Sequence, residues 1–387
     1  MTGEPTAVAE PVPLRVIAAQ WTRLGCIGFG GPPAHIALLR KLVVDDRDWL
    51  DSREFEDGVA VVNLLPGPAS TQLTIYCAWR LRGAAGALIG GAGFILPGLV
   101  VILTLSTVFL SEHPPGWVAG AALGAGAAVP AVAVAAAISL VLPSWRRAAN
   151  TAARARWVGY LLAGGASAAL VGPWLVAVLI VCGLIEAVVH LRPGLPPASP
   201  AVVVPLVAST GGLLSLAWLA FKVGALSFGG GFVIIPLMQH DAVHTYHWMT
   251  AGQFLTAVAL GQVTPGPVVQ TVAVVGYAAA GIGGGLLASL VAFTPSFCFV
   301  LGGGRYFDRL RRSEVVQAFL TGAGPAAIGA IAGAAIPLVA ALAHLWQAGL
   351  LVLAAGWLIG LRRGVVPAIA GAAALGVLVY LAGGPVQ

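Results

Sequence analysis

The chain has 387 residues, of which 59% are hydrophobic and 9% charged, against about 25% charged in an ordinary soluble domain. That balance excludes a soluble globular protein, and a mean hydropathy of +0.94 excludes low-complexity disorder, which needs low hydrophobicity and high charge. The net charge of +6 rests on 18 arginines and two lysines placed mostly at the ends of apolar runs, a membrane-orientation pattern with no nucleic-acid stripe.

Residues 1–13 carry Glu4, Glu10 and three prolines. They lack the basic and apolar regions of a cleaved signal peptide and read as a flexible N-terminal segment of the mature chain. The region 14–84 is apolar but interrupted by glycine and proline, the pattern of broken helices and re-entrant turns. Clear membrane spans, at about 20 apolar residues each, follow at Gly86 to Leu110 and Trp117 to Leu142. Shorter apolar runs, Trp157 to Val171 and Trp174 to His190, pair as a hairpin. A second interrupted region, 202–280, is followed by spans at Gly285 to Leu301 and Val315 to Leu342, then by the short runs Trp346 to Leu361 and Val365 to Ala382. The expected fold is an all-α polytopic membrane protein. Cys26, Cys77, Cys182 and Cys298 each lie in apolar sequence without metal or redox spacing and read as buried thiols.

The interruptions recur at one offset. Phe29-Gly30-Gly31 and Phe228-Gly229-Gly230 lie 199 positions apart, as do Pro66-Gly67-Pro68 and Pro265-Gly266-Pro267, Gly25 and Gly224, Trp49 and Trp248, Phe55 and Phe254, and Phe94 and Phe293. An internal duplication follows, with a first repeat at 14–192, a linker at 193–202 and a second repeat at 203–387. The loop after the first long span holds no Lys or Arg in half one, whereas its counterpart holds Arg305, Arg309, Arg311 and Arg312. The next loop reverses this, with Arg146, Arg147, Arg154 and Arg156 in half one and Ala343 to Leu345 in half two. If basic loops stay cytoplasmic, the halves are inverted, Arg192, Arg362 and Arg363 lie inside and Gln387 lies outside. The side of the N-terminus stays open.

Each glycine-rich break precedes a new helix, from His35 to Val44, from about Ala69 and from Val268. A helix start presents unpaired N–H groups and about half a positive charge, which suits an anion. The FGG and PGP motifs also serve as packing kinks. Their occurrence in both halves in one register, beside Asn63, Ser70, Thr71, Gln72, Gln262, Gln270 and Thr271, favours a substrate site at the repeat interface. Arg23 and Lys222 also align at 199, and an intramembrane cation marks function by default; the alternative is snorkelling to the headgroups. The acidic run Asp45, Asp46, Asp48, Asp51, Glu54, Glu56 and Asp57 reads as a solvated helix. His240, Asp241, His244 and His247 replace it in half two; His240 and His244 have zinc or pH-sensor spacing but no clear fourth ligand, so no metal is expected. There is no P-loop, HExxH or GxSxG motif, no cofactor is expected, and no catalytic residues stand out.

At its two FGG and PGP copies the sequence closely resembles the chromate ion transporter family in its two-domain form, over about residues 14 to 383. The resemblance implies export of chromate across the bacterial inner membrane, with sulfate as a structural analogue. The sequence departs from the family pattern where Pro32 follows Gly30-Gly31, against Gly231 in half two. The expectation is a secondary transporter that binds a tetrahedral oxyanion between the FGG and PGP helix ends, driven by membrane potential or a coupled proton gradient. Glu186, His35, His190 and His344 are the candidate proton carriers. The partners expected are the oxyanion and the lipid bilayer, with a homodimer left open. The alternatives are a sulfate or other oxyanion importer of the same fold and, from another class, a membrane-integral enzyme or lipid-handling scaffold.

Overall fold

In a computed structural model, the described residues are 11–63, 65–111, 113–148, 150–170, 175–191, 212–227, 232–303 and 313–386. Among them the chain is helical with no strand. The linker expected at 193–202, the opening of the second repeat to residue 211, Phe228, Gly229, Gly230, Gly231, Arg192 and the basic loop with Arg305, Arg309, Arg311 and Arg312 lie outside the described residues, as does most of the N-terminal segment.

The first half runs α1 (Leu14–Ile27), α2 (Pro32–Arg40), a π-helical turn (Lys41–Asp46), α3 (Ser52–Val62), α4 (Ala69–Phe109), α5 (Gly116–Trp145), α6 (Thr151–Leu170) and α7 (Leu175–Leu191). The second runs α8 (Leu213–Leu226), α9 (Ile234–Gln239), a π-helical turn (His240–Thr245), α10 (Ala251–Val263), a 3-10 turn (Val268–Gln270), α11 (Thr271–Gly303), α12 (Glu314–Ala340), α13 (Leu345–Ala355), a π-helical turn (Gly356–Gly360) and α14 (Val365–Leu381). Several local geometries recur with the order. Gly28 and Ser227 end α1 and α8 at φ −75° with ψ 75° and 74°. The π-helical turns at Lys41–Asp46 and His240–Thr245, in matching places of the two halves, are each followed by a residue at positive φ, Asp48 at 49° and His247 at 54°.

Among the described residues four helices are long and apolar enough to cross a membrane, Ala69–Phe109, Gly116–Trp145, Val268–Gly303 and Glu314–Ala340, each about half buried by the rest of the chain. The other half of each surface is apolar too. Leu88, Leu96 and Val100 on α4 and Ile282, Leu286 and Leu290 on α11 all face outward, and helices apolar on every side belong in lipid. This is a multi-pass membrane protein. The first long span begins close to the expected Gly86, because Arg82 and Gly83 (φ 58°) leave helical geometry and fold α4 into a short helix after the PGP break and a long one packed back against it, with a Cβ at Gly90 2.5 Å from Ala78 Cβ; α11 doubles back likewise at Ala280 and Gly281 (φ 63°), where a Cβ at Gly285 would lie 2.9 Å from Ala273 O.

The halves exchange their hairpins. α5 packs against α13 and α14 of the second half, while α12 packs against α6 and α7 of the first. These crossings are built on glycine, since apolar side chains gain nothing over lipid and close backbone approach supplies the attraction. A Cβ at Gly164 would lie 1.9 Å from Ala326 O, one at Gly322 2.2 Å from Cys182 O, and one at Gly124 2.2 Å from Ala372 O. Two of the four cysteines depart from expectation: Cys77 and Cys182 are buried but Cys26 and Cys298 face outward. Where the surroundings are lipid, an apolar stretch does not distinguish core from surface.

The hairpin of α6 and α7 is tied by an ion pair. Glu186 is 2% exposed; it accepts from Arg156 Nε at 2.7 Å and Nη2 at 2.8 Å and from Tyr160 Oη at 2.9 Å. Bidentate geometry of this kind is strong and specific, and removing one partner strands the other charge. Arg156→Ala is therefore expected to cost about 2 kcal/mol, discounted from the fully buried case because Arg156 is partly exposed. A lowered melting temperature in detergent reports it, and Glu186→Gln, which keeps the Tyr160 bond, should lower it less.

Candidate functional site

The FGG break of the first half sits between α1 and α2. Phe29 N–H donates to Ile27 O at 2.9 Å in a tight turn, Gly30 and Gly31 take φ of 97° and 75°, and Phe29 and Gly30 face outward. The helix that follows starts at Pro32, earlier than expected from His35, and Pro32 and Pro33 have no N–H to offer. That helix start therefore presents fewer free amides than a usual first turn.

The PGP breaks are stronger cradles. α4 starts after Pro68 and the 3-10 turn before α11 starts after Pro267, both without a side-chain cap. Two other helix starts are capped: Asp51 accepts from Glu54 N–H before α3, and Thr250 forms a capping box with Gln253 before α10. The amides at both PGP breaks have no side-chain partner, a state they share with the starts of α5 after Pro115 and α14 after Gly364.

Each PGP break meets the other half's approach to FGG. Gly266 N–H donates to Gly28 O at 2.8 Å, and a Cβ at Gly31 would lie 3.8 Å from Val268 Cγ2. Gly98 on α4 presses on Pro265 O, and Gln270 Nε2 donates to Ile95 O at 2.5 Å. On the other side, a Cβ at Gly67 would lie 3.3 Å from Gly224 O, while Gln72 Nε2 closes back on Pro66 O at 2.7 Å. Gln72 and Gln270 are 198 apart, one short of the general offset, and the tighter 3-10 turn at Val268–Gln270 takes up the missing residue.

Buried polar atoms without a partner gather in the same segments: Thr71 Oγ1, Gln72 Oε1, Ser227 Oγ, Gln262 Nε2 and Gln270 Oε1. A buried donor without a bond is costly, and the hydroxyls of Thr71 and Ser227 with the Gln262 amide are donors an anion would satisfy. Ser70 is buried and bonded to His35, and Thr271 is buried with its hydroxyl on Val268 O. Asn63 caps α3 and is exposed, unlike its counterpart Gln262.

The two aligned cations have different surroundings. Arg23 lies on the outward face of α1. Lys222 is mostly buried, forms an ion pair with Asp241 and lies 5.9 Å from the Trp218 ring. Its charge is matched by a carboxylate on the far side of the FGG break. Asp241 and Ser227 were not among the expected site residues. Ser227 could have been found from its place directly before Phe228, whereas the Lys222–Asp241 pair joins residues across an interruption that sequence spacing does not fold.

A family model described as chromate transporter matches residues 16–189 and again 214–377. The chain belongs to the chromate transporter family. It is 31% identical over 347 residues to the chromate transport protein of Cupriavidus metallidurans, covering 84% of this chain and 82% of that one. The chromate transport protein of Pseudomonas aeruginosa is 30% identical, over 86% and 82%, and the probable chromate transport protein of Synechococcus elongatus 28%, over 90% and 91%. No solved structure matches. A family of transporters, not enzymes, accounts for PGP breaks whose helix-start amides have no side-chain cap.

Proposed function

We propose that this protein exports chromate across a bacterial inner membrane, binding the tetrahedral dianion at the two PGP helix starts where each half presses on the other's FGG segment. The observation that carries this is the pairing of uncapped PGP breaks with the opposite half, through Gly266 N–H to Gly28 O and Gly67 to Gly224, among partnerless donors on Thr71, Ser227 and Gln262. Free helix-start amides are the usual solution for an anion held without bulk water. The two repeats are taken as inverted, with Gln387 outside. In this reading the reciprocal packing of α5 and α12 lets one half rock against the other.

Export needs no fuel beyond the potential. Each charge moved through 100 mV is worth about 2.3 kcal/mol, so a dianion leaving a negative interior gains about 4.6 kcal/mol, over a thousandfold in concentration ratio. Lys222 and Arg23 supply positive potential, and Asp241 holds Lys222 in the absence of anion. Inside-out vesicles with an imposed interior-positive potential should accumulate radiolabelled chromate, and excess sulfate should compete. Lys222→Met made together with Asp241→Asn, so that no buried carboxylate is stranded, is expected to lower the uptake rate about fivefold by removing local positive potential, with protein level unchanged. Cells expressing the protein should gain chromate resistance. Chromate sensitivity would point to oxyanion import, and absence of flux would sink the transport reading.

A further inference from the structure

His35 sits where the three described interruptions meet. It lies in the first turn of α2 and is 3% exposed. Its Nε2 is 3.0 Å from Gly28 O and its Nδ1 is 3.3 Å from Ser70 Oγ. Gly28 O also receives Gly266 N–H at 2.8 Å, and Ser70 is in the first turn after Pro66-Gly67-Pro68. One imidazole therefore touches the FGG turn, the start of the first PGP helix and, through a shared carbonyl, the second PGP break.

The bonding assigns the ring's state. A carbonyl only accepts, so Nε2 carries a proton toward Gly28 O and Nδ1 accepts from the Ser70 hydroxyl. If Nδ1 gains a proton, the hydroxyl rotates and accepts instead, while Nε2–H keeps its bond to Gly28 O. Both protonation states are satisfied without moving a heavy atom. The ring's surroundings supply no counter-ion. α1 places Leu24 and Gly28 against it, α4 places Ser70, Thr74 and Phe94, and its own helix places Leu38 and Leu39. Of the ionisable residues on those elements, Arg15, Arg23, Cys26 and Arg82 are exposed, Arg40 binds Ser52 and Glu56, Arg80 binds Glu54 and Tyr76, and Cys77 is a buried thiol. Among the described residues no carboxylate pairs with a charged imidazole here, and a buried unpaired charge is costly. An anion at the adjacent PGP helix starts would balance it.

We propose that His35 is the proton-binding group of this transporter: a proton from water binds Nδ1 as the oxyanion enters and returns to water as it leaves. This rests on the oxyanion site proposed above and adds its coupling ion. The charge carried per dianion then falls from two to one.

The test uses the purified full-length protein in detergent with sulfate, which stays a dianion from pH 5.5 to 8.5, and with chromate at pH 8. In weak buffer, the wild type should take up close to one proton per sulfate bound at the pH where free His35 is neutral. Its affinity should rise toward tenfold for each unit of falling pH, the limit for one linked proton. His35→Gln, which keeps a donor for Gly28 O, should bind sulfate with no proton uptake and less than a twofold change across the range. Ser70→Ala leaves the imidazole in place but removes the acceptor of the Nδ1 proton, so the pH dependence should persist and move to lower pH. Equal proton uptake in wild type and His35→Gln overturns the coupling role and leaves the anion site standing. If His35→Gln fails to fold, an unmoved profile in Ser70→Ala overturns it. A wild type that binds neither anion removes the site and the coupling together.

Discussion

Alanine at Gly266 is expected to lower chromate flux in inside-out vesicles at least about tenfold while the protein still inserts, which corresponds to about 1.4 kcal/mol. Gly266 has φ of 92°, a region in which a residue with a Cβ costs about 1 to 3 kcal/mol. The backbone can relieve that strain by rotating, but rotation swings the amide that donates to Gly28 O at 2.8 Å. The added methyl would also stand 3.3 Å from Phe94 O, so the break has little room to move toward α4. The substitution therefore acts on the orientation of the helix start and on its tie to the first half, without touching charge. Gly67→Ala meets φ of 123° and a contact of 2.5 Å with Gln72 Nε2. It should be at least as damaging, because the Gln72 side chain that closes the first break must leave. Wild-type flux in both variants would mean that the break geometry does not serve the anion.

The sequence pattern reached the helices and the motifs more readily than the contacts between them. Apolar length alone places the four long helices, because lipid demands about 20 apolar residues per crossing. The glycines ahead of the spans expected from Gly86 and Gly285 mark real breaks, since the chain leaves helical geometry at Gly83 and Gly281 and doubles back on the short helix that follows each PGP. The π-helical turns at Lys41–Asp46 and His240–Thr245 leave no mark on hydrophobic periodicity. The acidic run was read as one solvated helix; it divides between such a turn and α3, where Glu54 and Glu56 pair with Arg80 and Arg40.

At the site, glycine and proline announce where the backbone is interrupted, and a constant offset announces that it is interrupted twice. Which break touches which was not legible. The bond from Gly266 to Gly28 joins positions 238 apart, and no pattern along one chain encodes it. The difference between Arg23 and Lys222 was equally hidden. Aligned cations suggest equal roles, but Asp241 supplies a partner to one, and Leu42, the residue 199 before it, supplies none to the other. His35 could be read as a proton carrier from its chemistry, while its place between the two PGP breaks needed the fold.

Leucine at Gly329 is expected to remove most folded protein from the membrane, at a cost of about 3 kcal/mol, the upper part of the range for overpacking. A Cβ there would lie 1.8 Å from Leu161 O and 3.0 Å from Gly165 N. Both are backbone atoms of α6 and cannot step aside as a side chain would. One turn on, a Cβ at Gly333 would lie 2.2 Å from Gly165 O, so shifting α12 along its axis meets a second obstruction. The helices must separate, and separation exposes no new driving force to compensate, because lipid solvates an apolar helix face as well as protein does. Gly324→Leu is the control on the same helix: nothing lies within 4 Å of its Cβ position, and replacing a helical glycine removes a backbone-entropy penalty. The two variants should therefore part in detergent melting temperature and in yield, in opposite directions. Since α12 belongs to the second half and α6 to the first, the crossing is also a seam between halves. Gly124→Leu strikes the reciprocal seam, 2.2 Å from Ala372 O on α14, and should destabilise similarly. Loss at one seam with tolerance at the other would show that one exchanged hairpin holds the halves together and the other moves.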